Sequence, residues 1–396
     1  MPRPLSVSGL NLSSFIKHPL HATPDSLAFD VVILGGGPAG TATALSLTQH
    51  NPALTVAVVE ATTYERPRIG ETLVPIAQPL LMQLGVWDRF SAESHLESYG
   101  TCSAWGSDEL AANEFIYTPH NRGWHLNRQS FDAMLARTAA ERGVSLYTDS
   151  MLATSKETGD GRWLLGVHRR GASAAMISAR FVVDATGRRA SFARQRGARK
   201  VLLDQLLGVF VFFKQADEHA AADPTTLVEA CESGWWYTAL LPDARAVAAC
   251  MSDADIVKQH GLKSPPQWFE QLCKTRHVRG RLRSAEPLTR PAALAAYSHR
   301  LEPLTGEGWL AVGDAATTFD PLSSQGIFKA LRSGVLASYV ILDYFKGNGA
   351  GLARYTSLLM REYESYLETR LEYYRREQRW PQSLFWQRRH ARAQSA

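Results

Sequence analysis

The sequence predicts an α/β protein: a Rossmann-like domain, an inserted domain built on an antiparallel sheet, and a C-terminal helical tail. Three observations predict it. Residues 29–60 run strand, glycine turn, helix, strand; residues 201–300 change to short β-branched and aromatic runs between polar turns; and residues 308–334 return to a buried strand ending in a glycine turn and a helix. The boundaries that follow are an arm at 1–28, the first domain at 29–200 with an excursion near 91–120, the inserted domain at 201–300, a return at 301–347 and the tail at 348–396.

The first unit has the clearest physical reading. Residues 29–34 are almost wholly apolar, as a strand buried on both faces of a parallel sheet should be. Gly35 permits the tight turn, Gly37 lets backbone approach a pyrophosphate, and Gly40 lets the helix lie close on the strand. Pro38 and Ala39 open the helix, whose free N–H groups and dipole favour an anion. Glu60 ends the second strand, 20 residues beyond Gly40, where a carboxylate accepts hydrogen bonds from a ribose without a 2′-phosphate. The unit therefore predicts an adenine dinucleotide, FAD or NAD.

Further along, residues 66–72 read as a turn-like loop carrying Arg68, Gly70 and Glu71 back across the dinucleotide, and residues 79–87 as a helix. Residues 99–105 read as a strand, and residues 121–142 as a short strand and a helix capped by Ser130, with Arg128 ahead of it in reach of a phosphate or ribose. Residues 144–147 form a strand, and 163–169 with 176–180 a hairpin turning at Arg170-Gly171. From residue 181 an apolar strand runs into Asp184-Ala185-Thr186-Gly187, which brings backbone to the cofactor a second time.

In the inserted domain, strands are expected at 207–213, 235–241 and 246–251 and helices at 253–260 and 265–274. Alternation along the strand at Trp235-Trp236-Tyr237 sends Trp236 to the opposite face from its neighbours. At the return, Gly313-Asp314 ends a buried strand, Asp320-Pro321-Leu322 makes a turn, and a helix opens with Gln325, Gly326 and Ile327 in its first turn.

Composition narrows the class. The chain has 396 residues and a net charge of +5, and its basic excess lies in the tail, where Arg375, Arg376, Arg379, Arg388, Arg389 and Arg392 face the single acid Glu377. An arginine and aromatic alternation over 361–392 is expected either to dock an acidic partner or to fold on the first domain. The four cysteines lack metal-ligand spacing, so no metal is expected, and reduced thiols fit a cytoplasmic location. No stretch reaches the roughly 18 apolar residues of a membrane span. Residues 1–28 make a poor signal peptide, and no nucleic-acid partner is expected.

The order GGGPAG, Glu60, RIGETLVP, Arg128, DATGR and GDAATTFDPLSSQGI resembles the FAD-dependent monooxygenases of the hydroxybenzoate-hydroxylase fold, in the branch of flavin-dependent halogenases and geranylgeranyl reductases. The resemblance implies that Gly35, Gly37, Gly40 and Glu60 hold the ADP half of FAD. Arg128 and Asp314 would hold the ribityl-pyrophosphate. Pro38, Ala39, Ala185, Thr186, Gly187, Gly313 and Ile327 join them as cofactor contacts, and Arg68, Pro321, Gln325 and Gly326 border the ring. Arg68, Trp235, Trp236 and Pro321 are expected to shape the reactive pocket, and His125 is a candidate for proton transfer or for a structural bond.

Departures from the family narrow the chemistry. The halogenase lysine, expected near residues 99–105, is missing, since no lysine lies between Lys17 and Lys156. The halogenase WxWxIP motif also fails at residues 235–242. GWWYTALLP and YYRREQRWPQSLFW resemble the maturation flavoproteins that hydroxylate a peptidyl tryptophan in tryptophylquinone biogenesis, the maturases of quinohemoprotein amine dehydrogenases, glycine oxidases and lysine oxidases. That resemblance implies oxygen transfer through a flavin hydroperoxide, with dioxygen, a protein or peptide bearing tryptophan, and a flavin reductase or NAD(P)H as partners. A small-molecule aromatic hydroxylase, a halogenase of secondary metabolism and a flavin-binding scaffold without turnover stand as the alternatives.

Overall fold

The computed structural model describes residues 27–65, 67–169, 174–215 and 223–391. The arm up to residue 26, the expected turn at Arg170-Gly171 and Arg392 lie outside the described residues.

Five parallel strands form the centre of the first sheet. Leu27–Leu34 lies between Val56–Val59 and Ala175–Asp184, with Ser145–Tyr147 beyond the former and Trp309–Ala311 beyond the latter. Val31 to Leu34 are buried, as residues of a central strand with both faces covered should be. On one face the helix Pro38–His50 packs along the helix Gly326–Phe345, and Ser46 and Ser338 hydrogen-bond between them at 2.7 Å.

The second sheet runs Glu286–Pro287, Leu206–Lys214, Arg245–Asp253, Gly234–Leu241, Thr226–Cys231, Gly100–Ala104 and Ala111–Glu114. Its pairings are antiparallel except that Thr226–Cys231 runs parallel to Gly100–Ala104. One face, with Trp236, is covered by the helix Pro265–Cys273. The other, with Trp235 and Tyr237, meets Tyr374, Phe385 and Trp386 of the C-terminal helices Ala350–Arg376 and Leu384–Ala391.

Several expectations change. The single helix over 79–87 is two, Gln78–Gln83 and Trp87–Ala92, because Gly85 takes φ +63° and Arg142 donates to the carbonyls of Leu84 and Gly85. The cap of Arg128–Glu141 is Asn127, not Ser130: its Oδ1 accepts from the N–H groups of Gln129 and Ser130. The stretches at 176–180 and 181–184 are one strand, Ala175–Asp184, whose early half pairs with Trp163–Arg169 and whose late half pairs with Trp309–Ala311. The strand Ser150–Glu157 had no expectation. The tail packs on both domains: Tyr355 and Leu359 join the first core, with the Tyr355 hydroxyl donating to the Ala311 carbonyl, while Tyr374, Phe385 and Trp386 meet the second sheet. Arg389 pairs with Asp253, Arg388 with Asp253 and Asp255, and Arg370 with Asp204 and Asp320. Arg370 and Arg389 are thus turned inward, because burying a guanidinium requires a carboxylate beside it, whereas Arg361, Arg375 and Arg376 of the expected face stay exposed. No helix among the described residues is long and apolar enough to cross a membrane.

Candidate active site

A cavity of about 620 Å³ separates the two sheets. It falls within the roughly 300–1,000 Å³ of small-molecule and cofactor sites. Its floor is the start of the helix Pro38–His50, reached through the turn Gly35-Gly36-Gly37. Gly35 takes φ +111°, and a Cβ there would strike the carbonyl of Ala185; a Cβ on residue 40 would strike the carbonyl of Gly35. In front of Gly37, by contrast, lies open space. Closed behind and open in front, beside the unsatisfied N–H groups of a helix N-terminus, the turn is a cradle for an anion.

Glu60 is nearly buried at the end of Val56–Val59. Its Oε2 accepts from the Gly36 N–H at 2.7 Å, and its Oε1 from the Thr62 hydroxyl at 2.6 Å and from Arg68 Nη2 at 3.1 Å. The Tyr64 hydroxyl donates to the Gly36 carbonyl at 2.9 Å, so one carboxylate and one phenol pin the glycine turn.

Two arginines then meet on Asp132, a buried residue the sequence reading passed over. Arg68 Nη1 binds Asp132 Oδ2 at 2.8 Å, and Arg128 binds both carboxylate oxygens while donating to the carbonyls of Ile69 and Gly70. The spacing of Arg128 and Asp132 on one helix turn was the signal available for this pair. Arg68 lines the cavity, but its guanidinium is committed to Glu60, Thr62 and Asp132, on the carboxylate side of the floor.

The far wall comes from the return segment. Asp314 follows Trp309–Ala311 and faces Lys329 Nζ at 3.0 Å and Arg188 Nε at 3.8 Å. Burial pushes its carboxyl up, but these two cations outweigh burial and hold it below the usual carboxylate range. Pro321, Gly326 and Ile327 line the wall. Gln325 caps the following helix from an exposed position outside the lining, and Gly35, Gly40, Glu60, Thr186, Gly187 and Gly313 stand behind the surface rather than in it. Asp320, expected only as part of a turn, accepts from the Leu322 N–H, from the Tyr374 hydroxyl at 2.8 Å and from Arg370 Nε at 3.1 Å.

The second sheet supplies the roof: Val228, Trp235, Tyr237 and Met251. Trp236 points the other way, edge-on to Trp268 at 5.0 Å between centroids, so the strand's alternation holds and its expected place in the reactive pocket is corrected. Glu71 lies between roof and floor, buried, with Oε2 accepting from the Gly70 N–H and the Tyr237 hydroxyl beside it. Burial pushes the Glu71 carboxyl above the usual range and the Tyr237 phenol well above its own. His125 is buried against Thr226 Oγ1 at 2.9 Å and held down to about 4 by burial, which makes it a neutral structural ring. No lysine is among the described lining residues.

Residues 28–357 match the family described as FAD binding domain. The chain belongs to that family. It is 31% identical over 369 residues to the putative FAD-dependent oxidoreductase LodB of Marinomonas mediterranea, covering 92% of this chain and 97% of that protein. It is 27% identical to the 1H-pyrrole-2-carbonyl-[peptidyl-carrier protein] brominase of Pseudoalteromonas luteoviolacea, over 81% of this chain and 79% of that one. Among solved structures it resembles the flavin-dependent halogenase CmlS, with TM-score 0.81 and 25% identity over 93% of this chain and 68% of that one. The myxobacterial chondrochloren halogenase CndH has the same fold, with TM-score 0.84 and 22% identity over 93% of this chain and 89% of that one. The protein is thus an FAD-dependent enzyme of the oxidoreductase class with the halogenase-like fold. The open cradle at Gly37 fits that cofactor.

Proposed function

We propose that the protein is a flavin-dependent monooxygenase that hydroxylates an electron-rich aromatic, the indole of a tryptophan residue in a protein substrate, during tryptophylquinone formation. The observation that carries the reading is one cavity sharing the glycine-turn cradle, an aromatic roof and a buried carboxyl, with no lysine in its described wall. Two likenesses support it: LodB matches across 97% of its length, and the brominase named above is described as acting on a pyrrole carried by a protein. In this reading the helix start at Pro38 holds the pyrophosphate, Glu60 the ribose, and Arg128 and Asp314 the linker. Pro321, Gly326 and Ile327 face the ring.

Bound FAD, once reduced by a separate reductase or by NAD(P)H, supplies the activation of dioxygen. The protein's own residues do the rest. Trp235, Val228 and Met251 hold the indole flat under the roof and exclude water. An indole attacks an electrophilic oxygen without losing a proton first, but the substituted carbon must then shed one. Glu71, whose proton affinity is raised by burial and only partly offset by the hydrogen bond from the Tyr237 hydroxyl, takes that proton.

A mass measurement tests this. Reduced, FAD-loaded protein is exposed to air and bromide with tryptophan-bearing peptides and free indole. Added oxygen on the peptide is expected, with turnover lost and FAD retained in Glu71→Gln. Bromine on either substrate overturns the reading in favour of a halogenase, the second reading, which the brominase and CmlS likenesses favour.

A further inference from the structure

From the cavity roof, four tryptophans lead outward in a line. Trp235, which is 1% exposed, borders the cavity. Its ring centroid lies 6.5 Å from that of Trp105, Trp105 lies 5.4 Å from Trp386, and Trp386 lies 6.1 Å from Trp380, stacked at 20°. Each step is within the ring separations of packed aromatic pairs. Trp386 is fully buried, while Trp105 and Trp380 are half-buried. The line therefore joins the site to the surface and crosses from the second sheet to the last helix.

A parallel branch runs through Tyr374, whose hydroxyl accepts from Trp235 Nε1 at 3.1 Å and donates to Asp320 at 2.8 Å. Arg370 and Arg389 lie over its ring at 4.6 Å and 5.5 Å, each paired with a buried carboxylate, and burial pushes its phenol well above the ordinary range. Among the described residues the one cation over the tryptophan line, Arg379 at 4.4 Å from the Trp380 ring centroid, is paired with both Glu377 and Asp108. Its charge is offset, and Trp380 sits where water screens the remainder.

We propose that Trp235, Trp105, Trp386 and Trp380 form a relay that carries one-electron oxidising equivalents from the cavity to the surface. Trp235 gives an electron to an oxidant in the cavity and is refilled by Trp105, Trp105 by Trp386, and Trp386 by Trp380. The indole proton of Trp380 leaves to water, and a small thiol at the surface returns one electron and one proton, itself becoming a thiyl radical. Ground-state FAD cannot oxidise an indole: the acceptor is the activated-oxygen oxidant of the reaction proposed above, which takes up the one electron, or FAD excited by light. The relay's purpose, protecting the wall indole when oxygen is activated without substrate, rests on that reaction.

Flash photolysis separates the two claims, because it needs neither oxygen nor substrate. In the anaerobic, FAD-loaded full-length protein a blue flash makes the flavin the oxidant, and transient absorption follows the tryptophan radical. A long-lived radical is expected in the parent protein. Trp380→Phe should lose the long-lived component while flavin fluorescence stays quenched, and Trp235→Phe should lose radical and quenching together. Identical decay in the parent and Trp380→Phe, an unchanged radical yield in Trp235→Phe, or no tryptophan radical in the parent would each overturn the relay.

Discussion

His125 shows how burial at one position sets a pH dependence. In the fold its imidazole is neutral to about pH 4, whereas in the unfolded chain it takes up a proton near 6.5. The folded pKa is thus depressed, so its contribution is complete above about 6.5 and is lost as pH falls toward 4. The loss amounts to about 3 kcal/mol by linkage. His299, held down to about 3 by burial with Arg188, Lys200 and Lys329 nearby, acts in the same direction. Thermal midpoints measured from pH 7 to pH 4 should therefore fall in the parent protein, and fall less steeply in His125→Gln. Glu60 illustrates what residue-level reading reaches: its place at a strand end was legible, while its bonds to Gly36 and Arg68 came only from the folded loop.

The tail helix Ala350–Arg376 acts on the site through one face. Tyr366 stacks on Phe319 at 4.1 Å and accepts from the Asp320 N–H, while Arg370 bridges Asp204 and Asp320. Asp320 precedes the Pro321 turn in the cavity wall, so this helix positions that turn. Arg370→Met leaves two buried carboxylates without the cation that bridges them, at a cost of about 3–5 kcal/mol. Denaturant unfolding should register that cost, and FAD content should fall with it. Arg370→Lys should rescue little, since one ammonium cannot serve two carboxylates as a planar fork does. Among the elements, long apolar runs such as Val31 to Leu34 were legible because every position obeys one burial pattern. The strand Ser150–Glu157 was not, because only its first position is buried.

At the scale of the molecule, the C-terminal helices close the second sheet. Tyr374, Phe385 and Trp386 are fully buried against Trp235 and Tyr237, so a chain ending at Leu371 exposes the whole aromatic cluster. Such a chain should be insoluble or lack a cooperative thermal transition. A soluble truncation with an intact transition would instead show the tail to be an accessory.

From the residues alone came the α/β class, the dinucleotide cradle and the missing lysine, because glycine spacing, strand hydrophobicity and the absence of a residue type are local facts. The folded chain decided which faces meet. It turned Trp236 away, drew Arg68 and Arg128 onto Asp132, and set Arg370 and Arg389 against buried carboxylates. Charge pairing and ring contacts across more than a hundred residues depend on topology, which spacing along the chain does not encode.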